Sequence, residues 1–65
     1  MYTIEVYDGS GFCILTTSIP MLPRIGEEIE FEDGTRYVIN GIVYPLKRGH
    51  NPDRVVKFEV ERLYP

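Results

Sequence analysis

The chain reads as an all-β domain of five short strands, mostly antiparallel, in a sheet that curls on itself. Three observations lead there. Side chains alternate with a period of two, Gly and Pro clusters punctuate the alternating runs, and no stretch carries helical periodicity. Closure of the sheet is the expected outcome, because it removes exposed strand edges.

Residues 2–7 alternate Tyr2, Ile4 and Val6 against Thr3, Glu5 and Tyr7, which predicts the first strand. Asp8-Gly9-Ser10-Gly11 is a turn with glycines available for positive φ. Phe12–Thr17 is the second strand, with Phe12 and Ile14 on one face and Cys13 and Leu15 on the other. Pro20 and Pro23 make Ser18–Ile25 a loop, since proline lacks the ladder N–H and restrains the residue before it. Gly26 lets the chain bend into the third strand, Glu27–Glu32. Asp33-Gly34 between two alternating segments predicts a two-residue hairpin with a type I′ turn, both central residues at positive φ.

The return strand runs from Thr35 to Leu46. Its inward phase changes from Tyr37 and Ile39 to Ile42 and Tyr44 across Asn40-Gly41, which matches a bulge and leaves a second turn as the alternative. Pro45–Asp53 is a polar, turn-rich loop, and Val55–Leu63 is the last strand. The predicted core is Ile4, Val6, Phe12, Ile14, Ile29, Phe31, Tyr37, Ile39, Ile42, Val56, Phe58 and Val60.

Composition narrows the function classes. At 65 residues there is room for one domain, and such a domain buries only about 60% of the surface its unfolded chain exposes. One Cys and one His permit neither an internal disulfide nor a structural zinc site of four side chains, and no cofactor motif is present. Self-association is the remaining source of stability, with a homodimer the expected form. A net charge of −3 disfavours nucleic acid as the primary partner. No apolar run reaches the roughly 20 residues of a membrane helix, and no export signal is visible. With an unpaired cysteine, this points to a cytoplasmic setting.

Pro23-Arg24-Ile25-Gly26-Glu27, followed by Ile29, Tyr37, Ile39, Ile42 and Tyr44, resembles a recurrent type of small SH3-like β-barrel protein. Such proteins are found in bacteria, phages and mobile elements. The likeness covers residues 23–44 and implies the barrel fold. It carries no functional residue with it, because such barrels serve as peptide binders, nucleic-acid binders, subunits and inhibitors.

The search for chemistry finds no nucleophile motif, phosphate loop or metal-ligand spacing, and no catalytic residue is assigned. Cys13 lies in a strand and His50 in a distant loop, so Cys13 reads as a buried or half-buried structural thiol. A barrel this small is also expected to lack a pocket of a few hundred Å³.

The stronger signal is acidic. Glu28, Glu30 and Glu32 fall two apart on one strand, which sets their side chains about 6.6 Å apart on one face. That row suits a basic partner surface, and the alternative is a charged face that prevents edge pairing. Tyr37, Val38, Val43 and Tyr44 are the apolar anchors beside it, and outward Val38, Val43, Cys13, Leu15 and Val55 would form an interface. The expected function is a non-enzymatic binding or inhibitory protein acting by protein–protein contact. The alternative is a nucleotide- or nucleic-acid-binding barrel using Arg48, His50, Arg54 and Lys57, a locally basic segment set against solvated-loop behaviour.

Overall fold

The computed structural model describes residues 1–45 and 55–63. Five strands form: β1 (Tyr2–Tyr7), β2 (Cys13–Ile19), β3 (Glu28–Glu30), β4 (Arg36–Val43) and β5 (Val55–Leu63). They make one sheet in the order β2-β1-β5-β4-β3. Every neighbouring pair is antiparallel except β1 and β5, which run parallel with Val6 opposite Phe58. The sheet is curled into a half-barrel, the architecture of a small SH3-like barrel. The expected all-β, five-stranded, mostly antiparallel fold is therefore what the chain adopts.

The concave face holds the core. Ile4, Val6, Ile39, Val56, Phe58 and Val60 are buried, and Ile14, Leu15, Ile19, Leu22, Ile29, Phe31, Tyr37 and Ile42 pack against them. These positions alternate along β1 and β5, so period-two patterning alone sends them to one face. Register then brings them side by side: Ile4 lies opposite Val56, and Ile39 opposite Val60.

Phe12 departs from expectation. It is 69% exposed and closes the first hairpin rather than filling the core. It stands opposite Asp8, beyond the last core pair, Val6 and Leu15. Between the two lies a register shift, where Val6 and Tyr7 pair with Leu15 and Cys13 and leave Ile14 as the extra residue. One inserted residue reverses the phase beyond it. Leu15, expected on the outer face, therefore points inward with Thr17 and Ile19, the partners of Val6, Ile4 and Tyr2. The strand also runs two residues further than its composition suggested, through Ser18 and Ile19.

The hairpin after β3 also differs from expectation. Positive φ occurs only at Gly11, Gly26 and Gly34 among the described residues, so Asp33 cannot sit in a type I′ turn. Instead the Gly34 N–H donates to the Phe31 carbonyl at 2.9 Å, and the Phe31 N–H donates to the Thr35 carbonyl at 2.8 Å. The loop is three residues long: a type I turn followed by a left-handed glycine, Gly34 at φ 87°. Asp33 accepts the Thr35 N–H at 2.9 Å, the local bond that aspartate favours in turns.

The same device closes β1 to β2. The Gly11 N–H donates to the Asp8 carbonyl and the Asp8 N–H to the Phe12 carbonyl, both at 3.0 Å. The Asp8 carboxylate accepts the N–H groups of Ser10 and Phe12. Ahead of β3, Gly26 at φ 93° occupies the third position of a turn closed by the Glu27 N–H on the Arg24 carbonyl. That is a type II turn, which requires positive φ there. Glu27 returns its carboxylate to the Arg24 N–H at 2.7 Å.

The bulge at Asn40-Gly41 is present: Ile39 pairs with Val60 but Ile42 with Phe58, so Asn40 is the added residue. β3 and β4 are shorter than the alternation suggested, three and eight residues; the turns at Gly26 and Gly34 take up the ends of β3 and the start of β4.

Burial sets the mutational contrast. Phe58 is 1% exposed, and Phe58→Ala is expected to cost about 3–5 kcal/mol, enough to unfold so small a domain in a urea titration. Phe12→Ala should stay within about 0.5 kcal/mol of the parent in the same titration. Gly34→Ala is expected to lose about 1–2 kcal/mol from the left-handed backbone it must adopt.

Candidate interaction surface

Glu28 and Glu30 stand on the outer face of β3, opposite Val38 and Arg36 of β4. Both are exposed, as is Glu32. Glu32 belongs to the hairpin loop rather than the strand, so the expected row is two strand carboxylates continued by the loop pair Glu32 and Asp33. The Arg36 guanidinium donates to the Glu28 carboxylate diagonally across the ladder. Both side chains are about half exposed, so the pair contributes about 0–1 kcal/mol and mainly cancels one charge of the row. Among the described residues Glu30 and Glu32 have no ion-pair partner.

The apolar anchors are divided by the fold. Tyr37 turns inward, its ring 4.9 Å from that of Phe31 at 42°, and belongs to the hairpin's share of the core. Val38 faces outward beside Glu28 and Glu61 and is half-buried. Val43 and Tyr44 are 44% and 57% exposed. They lie five and six residues further along the chain, roughly 16 Å from Val38 at the usual strand rise. The structure thus joins Val38 to the acidic row and sets Val43 and Tyr44 apart.

Of the basic set, Arg48, His50 and Arg54 lie outside the described residues. Lys57 sits on the outer face of β5 opposite Val43, with its ammonium 5.6 Å from the Tyr7 ring centroid. The Tyr7 hydroxyl donates to the Glu5 carboxylate at 3.0 Å, which raises the phenol above its ordinary value, with partial burial adding to the effect. Lys57 is thus engaged with an aromatic ring.

Cys13 is exposed, against the expectation of a buried thiol, and its Sγ lies 3.6 Å from the Leu15 carbonyl and the Thr16 hydroxyl. Its outward position follows from the same register shift that turns Leu15 inward. Among the described residues no group of three or more His, Cys, Asp or Glu could hold a metal ion. No helix among them is long and apolar enough to cross a membrane.

One feature of the surface was not foreseen. The curl leaves an open groove of about 310 Å³ between β2 and β3, with Leu15, Thr17 and Ile19 on one side and Ile29 and Phe31 on the other. A second hollow of about 470 Å³ continues it past Leu15 and Thr17 to Glu30, Glu32 and Asp33. Volumes of this size were not expected of so small a barrel. They arise because the sheet stops short of closure and leaves its concave face open along one side. The only hint in the sequence is the apolar excess of β2, which carries Ile14, Leu15 and Ile19 on a strand without charges.

Comparison with protein-family models, curated proteins and solved structures finds no match to this chain.

The Asp33 carboxyl is held below its ordinary value, chiefly by the Thr35 N–H and secondarily by the Thr35 hydroxyl, with Arg62 adding a weaker attraction. A carboxylate lowered on folding stabilises fully above its unfolded pKa, about 3.9, and loses that contribution as pH falls through the folded value. The Thr35 amide resonance should therefore report loosening of the hairpin below about pH 4, and Asp33→Ala should abolish that titration.

Proposed function

We propose that this chain is a non-enzymatic binding protein, acting by protein–protein contact through the acidic face of the β3–β4 hairpin. The observation that carries the reading is the placement of Glu30, Glu32 and Asp33 as exposed carboxylates at one hairpin tip, next to an apolar hollow. Charge at the rim with apolar surface beside it is how protein interfaces are commonly arranged. The charge steers a basic partner, and the desolvated apolar area holds it. An inhibitor carried by a phage or mobile element is one form of this reading that agrees with the SH3-like resemblance.

Glu28 contributes less than its place in the row suggests, because Arg36 already pairs with it. A charge-reversal test belongs at Glu30 and Glu32. In quantitative pull-downs from host lysate at physiological salt, E30K/E32K should lose the partner that the parent protein retains. Glu59→Lys, a charge change on an exposed position of β5 opposite Gly41 and away from Val38, should retain it. Equal recovery by E30K/E32K and the parent would rule out the acidic-face reading.

A further inference from the structure

We propose that the gap between β2 and β3 receives an extended segment of a partner protein, which adds as a sixth strand to the edge of β2 that is unpaired among the described residues. The segment carries apolar residues at every second position and a Lys or Arg where it passes the hairpin tip. This deepens the preceding proposal, on which its charged end rests, by naming the partner's conformation and pattern.

No Cα of β2 lies within 8 Å of a Cα of β3, whereas paired strands sit about 4.7–4.9 Å apart. The two edges are too distant to form a ladder with each other, yet their side chains line one groove. A strand lying between two others requires a separation of about 9.6 Å, twice the pairing distance.

In an antiparallel pair, successive residues direct their N–H and C=O groups alternately towards and away from the partner. The Asp8 N–H on the Phe12 carbonyl fixes this alternation for the first hairpin. Carried past the bulge, it directs Leu15, Thr17 and Ile19 towards β1, while Thr16 and Ser18 present their backbone groups to the gap. On β3, the Ile39 N–H on the Glu27 carbonyl and the Phe31 N–H on the Thr35 carbonyl fix the phase. Glu28 and Glu30 then present theirs outward. Both walls of the groove are hydrogen-bonding templates, the condition for strand addition.

The groove selects the occupant's side chains. Its floor includes the core residues Ile4 and Phe58, and its walls include Leu15, Ile19, Ile29 and Phe31. An added strand aims every second side chain at this apolar surface. At the hairpin end the groove opens onto Glu30, Glu32 and Asp33, which calls for a cation there and disfavours an acidic segment.

The probe is a short synthetic peptide alternating valine and threonine with a lysine at each end. Amide exchange and titration by NMR are the readouts. Saturable binding is expected, with exchange protection gained at Thr16 and Ser18. Thr16→Pro removes an edge N–H outside the β1 ladder, a place where proline is tolerated, and should weaken binding roughly tenfold. The same peptide with N-methylated valines keeps its side chains and leaves the protein unaltered. It should fail to bind.

Equal binding of the N-methylated peptide, or no binding of the parent peptide, would overturn the proposal. So would protection of Thr16 and Ser18 that grows with protein concentration alone, since a second copy would then occupy the edge. Loss of binding on backbone blocking, with E30K/E32K binding as well as the parent, would support strand addition and overturn the acidic-face reading.

Discussion

The parallel pairing of the first strand with the last is the constraint on which the rest of the molecule depends. β1 and β2 form one hairpin, while β3, β4 and β5 form a meander, and β1–β5 is the only strand contact that joins the two halves among the described residues. That ladder sets Ile4 against Val56 and Val6 against Phe58, four of the six buried side chains. Without it neither half has a second hydrophobic layer, and an isolated hairpin is marginal in water. The pairing also closes the longest loop in the chain, so its entropic cost must be met by that compact cluster.

The same arrangement determines which surfaces are left for a partner. A sheet centred on β5 places β2 and β3 at opposite ends, and its curl brings their inner side chains to one groove without joining their backbones. Natural sheets commonly blunt such edges with charge, short strands or bulges. This one blunts β3, which is three residues long and begins and ends with a glutamate, the first of them paired with Arg36. β2 is seven residues long and carries hydroxyls and aliphatic groups with no charge at all. The contrast between a guarded edge and an unguarded one is why the groove, rather than the glutamates alone, organises the functional reading.

The hairpin at Asp33-Gly34 shows how local signals compete. Asn-Gly and Asp-Gly favour two-residue type I′ loops because both residues tolerate positive φ. Here a two-residue loop would have set Phe31 opposite Arg36, placing both on one face. The three-residue loop pairs Ile29 with Tyr37 instead, so Phe31 and Tyr37 meet on the concave side. The requirement to bury two aromatic rings outweighs a turn preference. Strict attention to phase would have found this in the sequence.

By itself the sequence determined the all-β class, the five strands, the places of the glycine-dependent turns and a change of phase at Asn40-Gly41, which the structure shows to be a bulge. All of these follow from side-chain period and local backbone preference, which act between near neighbours. It also placed Glu28 and Glu30 on one outer face, since that needs only alternation. Tertiary structure decided the inward turn of Leu15 and the outward turn of Cys13, because the shift at Ile14 is fixed by how β2 docks on β1, and it left Phe12 exposed at the hairpin end, beyond the core. The parallel β1–β5 junction and the open groove were likewise beyond local reading. They record which distant strands meet and how far the sheet curls, and burial across the whole chain sets both.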